Sequence, residues 1–308
     1  MTATGPIDDR LIYLDGRIVP THEATVHVFD HSFLYGDGIF ETFKVADGLV
    51  YQMDAHLDRL ERSAAAIALD LPLGRAGIAR AILDTIAANR LPDCFVKAIV
   101  SRGCGAEPLL EHTGLQSALV VMVRPAMPFF AEGTAEQGIS AAIVSVRKTP
   151  AASLDPRIKS NNYLNVIKSR IEARNLGARE SILLDDRGRV VEASIYNIIV
   201  VNGKRLRTPA EGYLEGITLQ TCFDAAAARG YTVAEANLYP YDLESADEIL
   251  FTSTAVGVIP VTTLNGRPVA GGRSGPVYDL LSRAYEDALR NPALGTPVPE
   301  LRPAPARS

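Results

Sequence analysis

The chain has 308 residues, is 47% hydrophobic and carries a formal charge of −5 with the two signs interspersed, enough apolar material and length for a large core and two domains. That charge pattern leaves no basic footprint for nucleic acid or for a membrane surface, and no apolar run approaches a membrane span. The first residues lack the basic and apolar regions of a signal peptide, and Cys94, Cys104 and Cys222 are unclustered, as expected of reduced thiols in a cytoplasmic protein.

In chain order, strands are predicted at 11–14 and 18–19 around an Asp15-Gly16 turn, at 25–29, and at 39–45 and 49–52 around Asp47-Gly48. Asp54 is placed as the cap of a helix whose apolar positions Leu57, Leu60, Ala64 and Ile67 recur at helical spacing. A second helix covers 78–88, and strands follow at 95–100 and 118–123. Pro125, Pro128 and Gly133 then break the periodicity, which sets a small first domain at 1–124 and an interdomain linker at 125–137. The larger second domain, 138–291, is expected to hold strands near 141–146, 181–184, 190–191, 197–201 and 248–251, with helices near 162–174, 218–228 and 276–289. Beyond Asn291 the chain is rich in proline and poor in large apolar residues, so 292–308 reads as a disordered tail. Strands dominate both parts with helices segregated around them, the pattern of the α+β class.

Lysine is scarce: only Lys44, Lys97, Lys148, Lys159, Lys168 and Lys204 occur, and arginine fills the other basic positions. A Schiff base needs a primary amine, which arginine cannot supply. In Asp155-Pro156-Arg157-Ile158-Lys159-Ser160-Asn161-Asn162-Tyr163, proline and alternation suggest an extended segment, and Ser160, Asn161 and Asn162 suit the cap of a following helix. Lys159 then lies at a strand-to-helix junction, where it projects into a cleft, with a solvated surface lysine as the plain alternative. Further on, Glu192 sits between two apolar runs, where a buried acid needs a cationic or hydrogen-bonding partner. A protonated pyridine nitrogen would serve, and pyridoxal 5'-phosphate offers that nitrogen, an aldehyde for the lysine and a phosphate that needs donors. Gly216-Ile217-Thr218, opening a helix, and Ser253-Thr254-Ala255, in a turn after a strand, are candidate donors, and Arg59 offers a guanidinium fork.

Together Phe29 through Thr42, His56-Leu57-Asp58-Arg59-Leu60, Ile158-Lys159-Ser160, Glu192 through Asn197, Leu214 through Thr218, and Phe251 through Val261 resemble the class IV (fold-type IV) pyridoxal phosphate enzymes over nearly the whole chain. That family holds branched-chain and D-amino-acid aminotransferases, (R)-selective amine transaminases and 4-amino-4-deoxychorismate lyase. The resemblance implies a two-domain α+β fold and a homodimer. It makes Lys159 the catalytic lysine and proton shuttle, pairs Glu192 with the ring nitrogen, sets Tyr163 at the phenolic oxygen, and has Arg59, Ile217, Thr218 and Thr254 hold the phosphate. Ser194 and Asn197 stand beside the cofactor or only satisfy backbone groups there. Tyr35 and Phe40 form a substrate pocket or are core aromatics. Lys97, Arg102, Thr254 and Ala255 complete the candidate substrate contacts, Arg102 alternatively closing its own loop.

The resemblance implies an aminotransferase nearest the branched-chain type, passing an amino group from an amino acid to a 2-oxo acid in ping-pong fashion. Phe95-Val96-Lys97 stands where branched-chain enzymes tend to carry Tyr-x-Arg, Tyr196 where they carry a carboxylate, and Leu219 where they carry arginine. Lys97 and Ser101-Arg102-Gly103 look more like the lyases, which keeps 4-amino-4-deoxychorismate lyase as the alternative. A D-amino-acid or (R)-amine transaminase and a non-catalytic cofactor carrier are more distant readings. His27 and His31 are four apart on an alternating segment and share no helical face, so no metal site is expected.

Overall fold

A computed structural model of the protein describes residues 10–131, 135–299 and 301. The chain divides into two units, one of Met1–Ala126, Ile158–Asn162 and Leu289–Ser308, the other of Met127–Arg157 and Tyr163–Ala288. The segment that carries Lys159 therefore belongs to the first unit, although long stretches of the second precede and follow it in sequence.

In the first unit, β1 (Leu11–Leu14) and β2 (Arg17–Pro20) form a hairpin, followed by α1 (His31–Tyr35), β3 (Gly38–Ala46), β4 (Leu49–Tyr51), α2 (Met53–Ala66), α3 (Gly74–Asn89), β5 (Cys94–Ser101) and β6 (Ala118–Pro125). The strands run β4-β3-β5-β6-β1-β2 across one sheet, and each neighbouring pair is antiparallel. α2 packs on β3, and α3 on β1 and β6. Between helices and sheet lies one core built on Ile39, Phe43, Leu57, Leu60, Ile78, Ile82 and Val100.

The second unit contains β7 (Ile139–Arg147), α4 (Leu164–Asn175), β8 (Glu180–Leu184), β9 (Val190–Ala193), β10 (Asn197–Asn202), β11 (Arg205–Pro209), α5 (Ile217–Ala227), β12 (Thr232–Ala236), α6 (Pro240–Glu244), β13 (Glu248–Ser253), β14 (Gly257–Leu264), β15 (Arg267–Pro268) and α7 (Pro276–Leu289). Its sheet runs β12-β11-β10-β13-β14-β7-β8-β9, with β15 paired to β14. The pairs β7–β8 and β11–β12 are parallel, and each is bridged in sequence by a helix, α4 and α5, because parallel neighbours need a crossover. The α+β class is therefore the observed one, and no helix among the described residues is long and apolar enough to cross a membrane.

Four local expectations are overturned. Residues 25–29 form no strand; Thr25 and His27 on one parity and Val26 and Val28 on the other are all exposed, so neither face has a core to meet, and Asp30 instead caps α1 by accepting from Ser32 N and Phe33 N. Asp54 does not cap α2: Gln52 occupies the cap position, and Asp54 lies in the first turn, where an acid suits the helix dipole and here meets Arg75. The helix after Lys159 begins at Leu164, because the expected capping side chains are used elsewhere: Asn161 Nδ2 donates to Ser32 Oγ and Asn162 Nδ2 to the carbonyl of Gly36. Finally, part of the expected tail is ordered. β16 (Gly295–Pro297) pairs antiparallel with β4, making the first sheet seven-stranded among the described residues, and Val298 is fully buried, so backbone pairing and one apolar anchor suffice where composition suggested disorder. Residues 132–134 of the expected linker, and 300 and 302–308 of the tail, lie outside the described residues.

Candidate active site

On β3 the two-residue period sends Ile39, Glu41, Phe43 and Val45 toward α2, whose buried face carries His56, Arg59 and Ser63 beside its leucines. A carboxylate in that row has to be paired. Glu41 is fully buried: Oε1 accepts from Arg59 Nε at 2.7 Å, and Oε2 accepts from Arg59 Nη2 at 2.9 Å and lies 2.8 Å from His56 Nδ1. Burial pushes the Glu41 carboxyl up, but the Arg59 charge and the hydrogen bonds from Arg59 and His56 outweigh it and hold the group well below its ordinary range. Burial lowers His56 below its ordinary value, against the pull of Glu41, and the charges of Arg59 and Lys159 add to that lowering. Arg59, the expected phosphate fork, thus gives Nε and Nη2 to a protein carboxylate.

Lys159 is fixed by its backbone. Its amide donates to Ser63 Oγ at 3.2 Å, its carbonyl accepts from Phe40 N at 2.9 Å, and Asn161 N donates to the carbonyl of Gly38 at 2.9 Å. Gly38 permits that close approach, because a Cβ there would stand 2.8 Å from the carbonyl of Val100 and 2.9 Å from Asn161 Nδ2. The Lys159 ammonium lies 4.6 Å from the centre of the Phe40 ring, and Lys97 Nζ lies 4.1 Å from the same ring. Burial lowers the Lys97 pKa. Phe40 is buried and brings the two amines to one aromatic ring.

Arg102 closes its own loop, one of the two readings given for it. It is 6% exposed, and its guanidinium donates to Asp37 Oδ2 at 2.6 Å, to the carbonyl of Ala68 at 2.9 Å and to that of Ile67 at 2.8 Å. Tyr35 donates its hydroxyl to the carbonyl of Pro108. His27 is exposed while His31 is buried in α1, and the 25–29 strand that was to separate them is absent.

The second unit gathers the remaining candidates around the turn that opens α5. Glu192 on β9 accepts from Lys148 Nζ at Oε1 and from the amide of Leu214 at Oε2, 3.1 Å away. Asn197, at the start of β10, donates Nδ2 to the carbonyl of Leu214 at 2.7 Å. Gly216 is the N-cap of α5 and supplies no side-chain cap, so the first-turn amides that begin at Ile217 and Thr218 lack both an intrahelical acceptor and a capping oxygen. Asn197 pairs with Thr252 across β10 and β13, and the buried hydroxyls of Ser194, Thr252 and Ser253 have no hydrogen-bond partner. Thr254 and Ala255 form the turn after β13, where the Thr254 carbonyl accepts from Tyr285. Tyr163 is the N-cap of α4.

These observations fit a phosphorylated pyridine. An uncapped helix N-terminus of ordinary length suits a dianion, the orphaned hydroxyls are donors awaiting an acceptor, and Glu192 is a carboxylate that already accepts from a cation. A cleft of about 630 Å3 is lined by Gly216 and Ile217 of this turn and by none of Glu192, Ser194, Asn197 or Ser253.

Three residues were missed. Glu41 and His56 were legible in part, since an acid on the inward parity of β3 opposite a histidine and an arginine on an α2 face is a buried pair in the making. Lys148 could have been singled out by the same scarcity of lysine that drew attention to Lys159. Tyr196, read as replacing a family carboxylate, stacks on Phe251 at 5.6 Å in the core, and burial pushes its hydroxyl up to about 12.

A profile of the class IV amino-transferases matches residues 38–264. A putative branched-chain-amino-acid aminotransferase of Methanocaldococcus jannaschii is 36% identical over 278 residues, covering 90% of this chain and 95% of that protein. The aminodeoxychorismate lyase of Bacillus subtilis is 27% identical over 290 residues, covering 91% of this chain and 95% of its own. Among solved structures, the branched-chain aminotransferase of Thermoproteus uzoniensis with norvaline matches with a TM-score of 0.87 at 31% identity, covering 94% of this chain and 99% of that one. The T.th. branched-chain amino acid aminotransferase with pyridoxamine 5'-phosphate matches at 0.88 and 27% identity, covering 95% and 99%.

Proposed function

Because the chain belongs to the class IV aminotransferases, pyridoxal phosphate-dependent transaminases of the branched-chain-like kind, we propose that it moves the amino group of a branched-chain amino acid to a 2-oxo acid in a ping-pong reaction through Lys159. The observation that carries the reading is Lys159 itself, a primary amine whose amide and carbonyl are both hydrogen-bonded and whose ammonium lies over Phe40. When bound, the cofactor supplies an aldehyde carbon for amines and a ring that takes up the electrons released at the substrate α-carbon. Lys159 Nζ would hold it and would be the base that takes the proton from the substrate α-carbon. Glu192, with acceptor oxygens only when ionised, holds a proton on the ring nitrogen. Tyr163 would take the phenolic oxygen, and the amides of Ile217 and Thr218, with Arg59, Thr254 and Ser253, would hold the phosphate. Phe40 would be the apolar wall against which a branched side chain packs, and Lys97, over the same ring, would meet its carboxylate.

We infer a homodimer. The exposed side chains of Leu164, Ile167 and Ile171 recur at helical spacing along α4 and make an apolar stripe of the kind that partners cover. The three free thiols support a cytoplasmic setting.

A second reading, 4-amino-4-deoxychorismate lyase, is favoured by Lys97 over Phe40 and by the Bacillus subtilis relative. One assay separates the two. With L-leucine and 2-oxoglutarate, the transaminase forms L-glutamate and gives parallel double-reciprocal lines at different acceptor concentrations. Pyruvate released from 4-amino-4-deoxychorismate without any acceptor, with no glutamate from L-leucine, transfers the assignment to the lyase.

A further inference from the structure

Leu214 is held at both backbone groups. Its amide donates to Glu192 Oε2 at 3.1 Å, and its carbonyl accepts from Asn197 Nδ2 at 2.7 Å. Two residues later, Gly216 opens α5 with φ −82° and ψ 126°, an extended conformation open to any residue, so backbone freedom does not explain the glycine. Space does: a Cβ at Gly216 would overlap Asn197 Oδ1 and stand 3.0 Å from Asn197 Cγ and 3.3 Å from Leu219 Cβ. One carboxamide therefore both pins the turn and occupies the room beside the helix N-terminus. Asn197 is itself fixed, 7% exposed and registered opposite Thr252 in the sheet.

We propose that Asn197 is a positioning residue for the cofactor phosphate: by clamping the carbonyl of Leu214 and packing on Gly216, it sets where the free amides of α5 stand relative to Glu192. The proposal rests on the reading that α5 receives the phosphate. Asn197 needs no contact with the cofactor for this role. Its side chain fixes a short turn with the ring-nitrogen carboxylate at one end and the phosphate donors at the other. Loosening that turn leaves both groups present but lets their separation drift, and the phosphate end loses most because its donors are backbone amides that move with the turn.

The test compares two ligands on one protein. Holoenzyme is stripped of cofactor and reloaded with pyridoxal phosphate or with pyridoxal, which lacks the phosphate, and dissociation constants are read by absorbance for wild type, Asn197→Ser, Gly216→Ala and Thr218→Val. Serine is too short to reach the Leu214 carbonyl, and a half-buried carbonyl left unpaired corresponds to roughly 10- to 100-fold in affinity. Asn197→Ser and Gly216→Ala are expected to weaken pyridoxal phosphate by about that factor, with pyridoxal changed less than about twofold. Equal weakening for both ligands, or no weakening of either, overturns the positioning role, since a general structural defect does not distinguish them. Wild-type protein that binds both ligands equally, with Thr218→Val unchanged, refutes the phosphate reading of α5 instead. Should Asn197→Ser fail to fold, Gly216→Ala alone decides by the same ratio.

Discussion

In the first unit both oxygens of the buried Glu41 carboxylate have donors on α2, whereas in the second the buried hydroxyls of Ser194, Thr252 and Ser253 have no partner. The difference follows from what each region holds. The first fixes a lysine by its backbone and an arginine by a carboxylate, interactions complete within the fold. The second ends strands and begins a helix around a turn, which leaves hydroxyls and first-turn amides to be satisfied by something else. A frame closed on itself stabilises the fold, and one left open stabilises a ligand. The closed frame is imperfect at two ring nitrogens, His31 Nε2 and His56 Nε2, both buried and unpaired.

Replacing Lys159 by Ala breaks the comparison hardest. No neighbouring group supplies the same amine at Phe40 except Lys97, and turnover is expected to fall by at least ~1000-fold in kcat, in line with losing the group that moves the proton. Undiminished turnover would sink the assignment. Next is Glu41→Gln, which leaves a buried guanidinium without its counter-charge and should cost about 3–5 kcal/mol in chemical denaturation. The same variant changes the acid response. Glu41 titrates lower in the folded protein than its ordinary 4.5, so its stabilisation is complete above that pH and is lost as pH falls toward the folded value. His56 also titrates lower when folded than its ordinary 6.5, so it too contributes stability above that value that is lost on acidification. Stability should therefore decline from about pH 6.5 downward, and below the ordinary 4.5 of Glu41 it should decline less steeply in Glu41→Gln; identical profiles in that acid range would contradict the buried pairing.

Glu192→Gln tests the open region. The amide keeps an acceptor for Lys148 or Leu214 but no longer favours a proton on the ring nitrogen, so kcat should drop on the order of 100-fold while cofactor affinity changes far less. Equal loss of both would mean that Glu192 only shapes the pocket. Smallest is Arg102→Lys, which gives up the fork that joins Asp37 to two carbonyls and should cost about 1–2 kcal/mol of stability with KM for either substrate unchanged. A raised KM at unchanged stability would return Arg102 to the substrate site.

The fold was legible where pattern and chemistry agreed. Strands β1, β3, β5 and β10 and helix α7 follow apolar periodicity closely. Strands β11 and β14 were not read as strands, because arginines in one and Pro260 in the other mask the alternation; each is fixed by hairpin pairing with the strand just before it, β10 and β13. Lys159 and Glu192 stood out because one residue type was rare and the other was an acid between apolar runs. Arg102 left two readings open for a related reason: sequence shows that a charge is present near the expected site, but not that Asp37 and two carbonyls engage it. Asn161 and Asn162 look like helix caps in one dimension and are tethers to Ser32 and Gly36 in three.

The central claim, amino transfer through a cofactor held at Lys159, is tested most directly by the visible spectrum of the purified holoenzyme with L-leucine alone and then with 2-oxoglutarate. The cofactor band should collapse on adding the amino acid and return on adding the oxo acid, and Lys159→Ala should lack the cycle. A band that persists with L-leucine and with L-glutamate alike would contradict the account.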